Sequence, residues 1–215
     1  MNKLVLIILG IIALIAVLGV LIVYYYYTSI TQSPKYDLKN SKVLIVIFSG
    51  YNNIEYTTTR DYLKSCGANV TVLSMHKNVG TKYDIYIGDI NDLNLLADQY
   101  DVVVFIGGGG VYDRVVGAIK DGSVEKAAKI ATLFYNKGKL VSAICAAPGI
   151  LAKTDIIKGK KITCYSDKTL INMVEKCGAT YTGKNVEQDG RIITAIGPDA
   201  ARDFAVKIAE NLAKG

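Results

Sequence analysis

The feature that most restricts this chain is the recurrence of short β-branched apolar runs between amphipathic stretches. "KVLIVIF" (42–48) is apolar at consecutive positions rather than alternate ones. Such a run predicts a strand buried on both faces, as strands of parallel sheets are. "NVTVL" (69–73), "KLVSAI" (139–144) and "KKITCY" (160–165) predict further strands, and "YDIYI" (83–87) a short edge strand. "DVVVFIGGGG" (101–110) predicts a strand that runs straight into glycines.

Helices are expected between them. "NIEYTTTRDYLKSCG" (53–67) has Asn53 as a cap and Gly67 as a stop. "SVEKAAKIATLFYNKG" (123–138) has Ser123 as a cap and Gly138 as a stop, with Ala127, Ile130, Ala131 and Phe134 on its inner face. "AAPGILAK" opens a helix after Cys145, and "SDKTLINMVEKCG" (166–178) forms another. "NVEQDGRIITAI" (185–196) reads as a hairpin around Asp189-Gly190. The last helix repeats apolar residues at Phe204, Ile208 and Leu212. Strands alternating with helices predict an α/β three-layer sandwich with a mostly parallel sheet. A chain of 215 residues with 51% hydrophobic composition supports one substantial core.

The start of the chain follows a different rule. Leu4 to Val23 carries no charge and no proline. As a helix it would extend about 30 Å, the thickness of a bilayer's hydrocarbon layer. Tyr24 to Tyr27 would suit the interfacial belt. The rival is a cleaved signal peptide, but no small-residue cleavage site follows. The expectation is one single-pass transmembrane anchor at 1–27, a polar linker with Pro34 at 28–41, and a globular domain at 42–215. The membrane side of that domain is left open, because Lys3 stands against Lys35, Lys39 and Lys42.

Charge and cysteines narrow the function. The net charge is +6, but lysines are scattered among acidic residues, and the densest basic spot, Lys158 to Lys161, is short. No stripe suited to nucleic acid forms, so none is expected as a partner. Cys66, Cys145, Cys164 and Cys177 have no zinc-ligand spacing, and His76 is the only histidine. No metal and no cofactor are expected. Cys66 and Cys177 each precede a glycine that reads as a helix stop.

Sites in open parallel sheets form where strands end and helices begin. Three corners stand out. Cys145 lies between a buried strand and a helix, with small Ala143 and Ala147 on either side, as a sharp turn around a nucleophile needs. A helix N-terminus would favour its thiolate, and the Ala146 amide would be free. The local pattern fits a small filler in a βα turn equally well. Gly107 to Gly110 lack the residues of a phosphate or dinucleotide loop, leaving either a plain flexible turn or one whose amides serve an oxyanion. Glu55 reads as a first-turn glutamate unless it meets Cys145 at the sheet edge.

Taken together, "FSGYNNIEYTTTRDYLKSCGANVTV", "YDVVVFIGGGG", "KLVSAICAAPGILA" and "VEQDGRIITAIGPDAARDFAVKIAENL" resemble the ThiJ/PfpI (DJ-one) superfamily from about Lys42 to the end. The resemblance implies a flavodoxin-like fold of the class I glutamine amidotransferase type, often as a homodimer. It implies Cys145 as the elbow nucleophile and Glu55 as its carboxylic partner. Gly108 and Ala146 would supply oxyanion amides, and Gly107, Gly109 and Tyr165 would line the site. The chain departs from the family at several places. Ala146 stands where peptidase and many glyoxalase branches carry histidine, and Tyr165 where the DJ-one branch carries one. Ala147, Ile106 and Ile196 replace a glycine, a proline and an arginine. The resemblance implies a cysteine enzyme acting on reactive carbonyls, of glyoxalase or deglycase type, which the expected anchor would tether to a membrane. The alternatives are an oxidant-sensing or chaperone-like protein, a scaffold that has lost the chemistry, and, more weakly, a peptidase.

Overall fold

The computed structural model describes residues 3–31 and 35–214. Within the helix at its start, side chains are described for Lys3 and residues 10–24. The chain divides into two units, Met1–Lys35 and Tyr36–Gly215.

The first unit holds helix α1, Lys3–Thr31. Among the described residues no helix is long and apolar enough to cross a membrane. This corrects the expected anchor at 1–27, and with it the membrane localisation and the membrane partner. Tyr25 to Tyr27 lie outside the described side chains, and Pro34 of the expected linker lies outside the described residues.

The second unit is built on strands β1 (Lys42–Ile47), β2 (Asn69–Ser74), β3 (Ile85–Tyr86), β4 (Val102–Phe105), β5 (Leu140–Ile144), β8 (Val186–Asp189) and β9 (Ile192–Ala195). They lie in the order β3-β2-β1-β4-β5-β9-β8. Every pair is parallel except β8–β9, the hairpin at Asp189-Gly190. The central strands β1, β4 and β5 are buried along nearly their whole length, which is why their sequences do not alternate. Short strands β6 (Lys161–Ile162) and β7 (Thr180–Tyr181) form a separate two-stranded ribbon.

The connecting helices are α2 (Asn53–Ser65), α3 (Asn94–Gln99), α4 (Gly109–Val115), α5 (Ser123–Asn136), α6 (Pro148–Leu151), α7 (Lys168–Lys176) and α8 (Ala201–Leu212). Two caps differ from expectation. Asn52, not Asn53, caps α2, because its side chain reaches the amides of Ile54 and Glu55. Gly122, not Ser123, precedes α5, and the Ser123 hydroxyl donates to Asp121 instead. Cys66 and Cys177 end α2 and α7 ahead of left-handed Gly67 and Gly178. The result is a flavodoxin-like α/β sandwich whose β1, β4 and β5 end side by side.

Candidate active site

Those three strand ends bring the three corners together. Cys145 follows β5 directly. Its φ is 64°, the only positive φ outside glycine among the described residues. A left-handed conformation costs an ordinary residue about 1–2 kcal/mol, so the surroundings must impose it. They do so on both sides: the Cys145 amide donates to Ala195 O at 2.8 Å, and the Tyr165 amide donates to Cys145 O at 2.8 Å.

Gly107 is required by this turn. A methyl there would stand 2.6 Å from the Cys145 Cβ and 2.6 Å from Ile144 O. Gly108, at φ 130°, is crowded by the backbone of Gly50 to Asn52. Both glycines let the β4–α4 turn lie against the elbow. Gly109, by contrast, has open space around its Cα and is exposed. It opens α4 without packing against the thiol. Tyr165 contributes its backbone amide, while its ring is half exposed.

Glu55 sits in the first turn of α2 and is 0% exposed. Its Oε2 accepts from the Gly107 amide at 3.0 Å. Its Oε1 is buried and makes no hydrogen bond of ordinary geometry. Asn52 fixes this arrangement, capping α2 while its own amide donates to Gly107 O at 2.8 Å. Burial raises the Glu55 carboxyl from 4.5 to about 7, although the Cys145 thiol and the Gly107 amide both favour its charged form.

The thiol itself behaves differently from the sequence expectation. Burial, then the charge and hydrogen bond of Glu55, push Cys145 up to about 12, while the Ala146 and Gly108 amides pull it down. A helix N-terminus was expected to favour the thiolate. The helix that follows is only Pro148–Leu151, and Cys145 is 9% exposed, so desolvation wins. The pair therefore holds a proton to well above neutral pH, and Glu55 is the group that titrates near neutrality.

The DJ-1/PfpI family model matches residues 41–211. The chain belongs to the DJ-1/PfpI family. It is 34% identical over 186 residues to an uncharacterised protein of Methanocaldococcus jannaschii, covering 83% of this chain and 85% of the other. It is 31% identical over 179 residues to protein dj-1beta of Drosophila melanogaster, covering 81% and 90%. Among solved structures, a ThiJ/PfpI domain protein from Brachyspira murdochii superposes with a TM-score of 0.69 at 25% identity, over 83% of this chain and 99% of that one.

A second cluster beside this DJ-1/PfpI site escaped the sequence reading. Asp121 Oδ2 accepts from Arg114 Nε at 2.7 Å and pairs with His76 Nε2 at 3.0 Å. His76 Nδ1 in turn accepts from the Ser49 amide at 3.1 Å. His76, in the loop after β2, thus holds the turn after β1. No spacing in the sequence links residues 49, 76, 114 and 121. The only local signal is an arginine four residues after "GGGG" and a turn at Asp121-Gly122.

Proposed function

We propose that this domain is a cysteine-dependent enzyme that converts small α-oxoaldehydes to hydroxy acids in protection against reactive carbonyls. The observation that carries the reading is the pair formed by Cys145, held in a left-handed turn, and the buried Glu55 carboxyl, which takes the Gly107 amide and faces the thiol. A thiol that stays protonated needs a base at the moment of attack, and a carboxyl near 7 is about half ionised at neutral pH. Cys145 Sγ attacks the aldehyde carbon, and its proton passes to Glu55 as the carbonyl electron pair becomes an oxyanion. The Gly108 and Ala146 amides, which point toward the sulfur, stabilise that charge. Glu55 returns the proton to give the hemithioacetal. It then removes the carbon-bound hydrogen and returns it as a proton to the neighbouring carbon, while the hemithioacetal hydroxyl proton passes to the neighbouring oxygen, so that one substrate carbon is oxidised and the other reduced. The resulting thioester is cleaved by water, which releases the hydroxy acid and restores the thiol. No external oxidant or reductant enters.

The test is lactate formation from methylglyoxal. Cys145→Ser abolishes it, and Glu55→Gln lowers kcat at least about 100-fold, the range of a lost general acid–base. Undiminished lactate from Cys145→Ser overturns the reading.

A second reading rests on the same two amides. Aimed at the sulfur beside a carboxyl that can be protonated, they suit an oxidised, anionic Cys145. Peptide mass spectrometry after mild peroxide separates the two: a sensor oxidises at Cys145 ahead of Cys66, Cys164 and Cys177. A homodimer is part of either reading and is tested by sedimentation. The peptidase alternative gains nothing, because Ala146 stands beside the thiol and His76 is committed to Ser49 and Asp121.

A further inference from the structure

Arg114 keeps only 9% of its side-chain exposure. A guanidinium is withdrawn from water this far only when its donors are matched. One match is Asp121, a charge partner. The others are two backbone carbonyls: Nη1 donates to Ser49 O at 3.1 Å and to Gly110 O at 2.7 Å.

Those carbonyls belong to different turns. Ser49 lies in the turn between β1 and α2, and α2 carries Glu55. Gly110 lies in the segment after β4 that supplies the Gly107 and Gly108 amides. The two turns touch directly, with the Gly110 amide donating to Gly50 O at 3.0 Å, and a side chain at Gly110 would collide with Ser49 O. Both ends of the Ser49 residue are gripped. Arg114 takes its carbonyl, His76 takes its amide, and Asp121 holds both side chains. Asp121 is itself fixed through Oδ1 by the Ser123 amide and hydroxyl.

We propose that Arg114, anchored by Asp121, is a positioning residue that sets the approach of Glu55 to Cys145 by clamping the Ser49 turn to the Gly110 turn. It touches neither sulfur nor carboxyl and acts only through the two backbones. The inference rests on the reading that Glu55 and Cys145 work as a pair. Lysine would replace it poorly, since one ammonium lacks the planar fork that reaches three acceptors at fixed angles.

The experiment is a double-variant cycle on the full chain, read as the rate of Cys145 alkylation by iodoacetamide between pH 7 and 10. The four proteins are wild type, Arg114→Met, Glu55→Gln and the combination, each checked for a cooperative thermal unfolding transition. Loosening the clamp lets water and distance weaken the hold of burial and Glu55 on the thiol. Arg114→Met is therefore expected to raise the rate at pH 8 about tenfold, the equivalent of one pH unit. In the Glu55→Gln background the same substitution is expected to do less than half as much on a logarithmic scale, because its route to the sulfur is gone. An unchanged rate in folded Arg114→Met overturns the proposal, as does an equal change in both backgrounds. If Arg114→Met does not fold, Asp121→Asn decides in its place, with a few-fold change expected under the same rule. Methylglyoxal turnover is scored separately. Its absence alongside the expected cycle removes the carbonyl reading and leaves the clamp; its presence alongside a flat cycle removes the clamp alone.

Discussion

Cys145 and Cys164 make an instructive pair. Both are buried, and burial is the main reason that both thiols are pushed up to about 12. Beyond that they differ. Cys164, 0% exposed after the short strand β6, feels only the added charges of Asp167 and Glu175. Cys145 faces a buried carboxyl and two backbone amides, and its own backbone is bent to φ 64°. A raised thiol pKa therefore does not mark the site. What marks it is a strained residue held by backbone bonds, with donors and a proton acceptor converging on the sulfur. Cys164 is the filler that Cys145 could have been.

That contrast can be broken in three ways. The largest effect belongs to Gly107, which exists to make room for the elbow. Gly107→Ala places a methyl 2.6 Å from Cys145 Cβ, so a loss of about 3 kcal/mol or more is expected in urea unfolding. Gly109→Ala, with open space around it, should change stability by less than about 0.5 kcal/mol. Equal losses at the two positions would mean that the elbow is not tightly packed.

Next comes the pH dependence of stability. Glu55 binds its proton more tightly in the folded state, at about 7 against 4.5. Its favourable contribution is thus complete below pH 4.5 and is lost as pH rises through 7. The wild type should lose about 3 kcal/mol over that window relative to Glu55→Gln. Urea titrations of both proteins at several pH values read the difference, and parallel curves would place Glu55 in contact with water. The smallest effect sharpens the comparison of the thiols themselves. At pH 8, Glu55→Gln should raise Cys145 alkylation several-fold, since a neighbouring charge is removed, and leave Cys164 unchanged. A parallel rise at Cys164 would point to general loosening.

Much of this is legible in the sequence. Continuous apolar runs at 42–48 and 139–144 can satisfy their backbone and bury both faces only inside a parallel sheet, and β1 and β5 lie there. Small residues around Cys145, glycines after Phe105 and a glutamate early in α2 each sit at a strand end, so a sheet with aligned strands had to bring them to one edge. The first helix was the exception: apolar length suggested an anchor, and among the described residues no helix is long and apolar enough for one. Asn52 was missed as the cap because two adjacent asparagines offer the same side chain, and only the extended backbone at residue 52 selects between them.

The sequence by itself determined the alternation of strand and helix and which residues stand at strand ends, because periodicity and turn chemistry are local properties of neighbouring side chains. Tertiary structure alone decided the direction of the Cys145 pKa, which sums burial, Glu55 and two amides from three separate segments. It also decided the grip of His76, Arg114 and Asp121 on Ser49, since partners 27 and 65 residues apart leave no spacing to read. Desolvation and long-range hydrogen bonds depend on distances through space, and those exist only once the chain has folded.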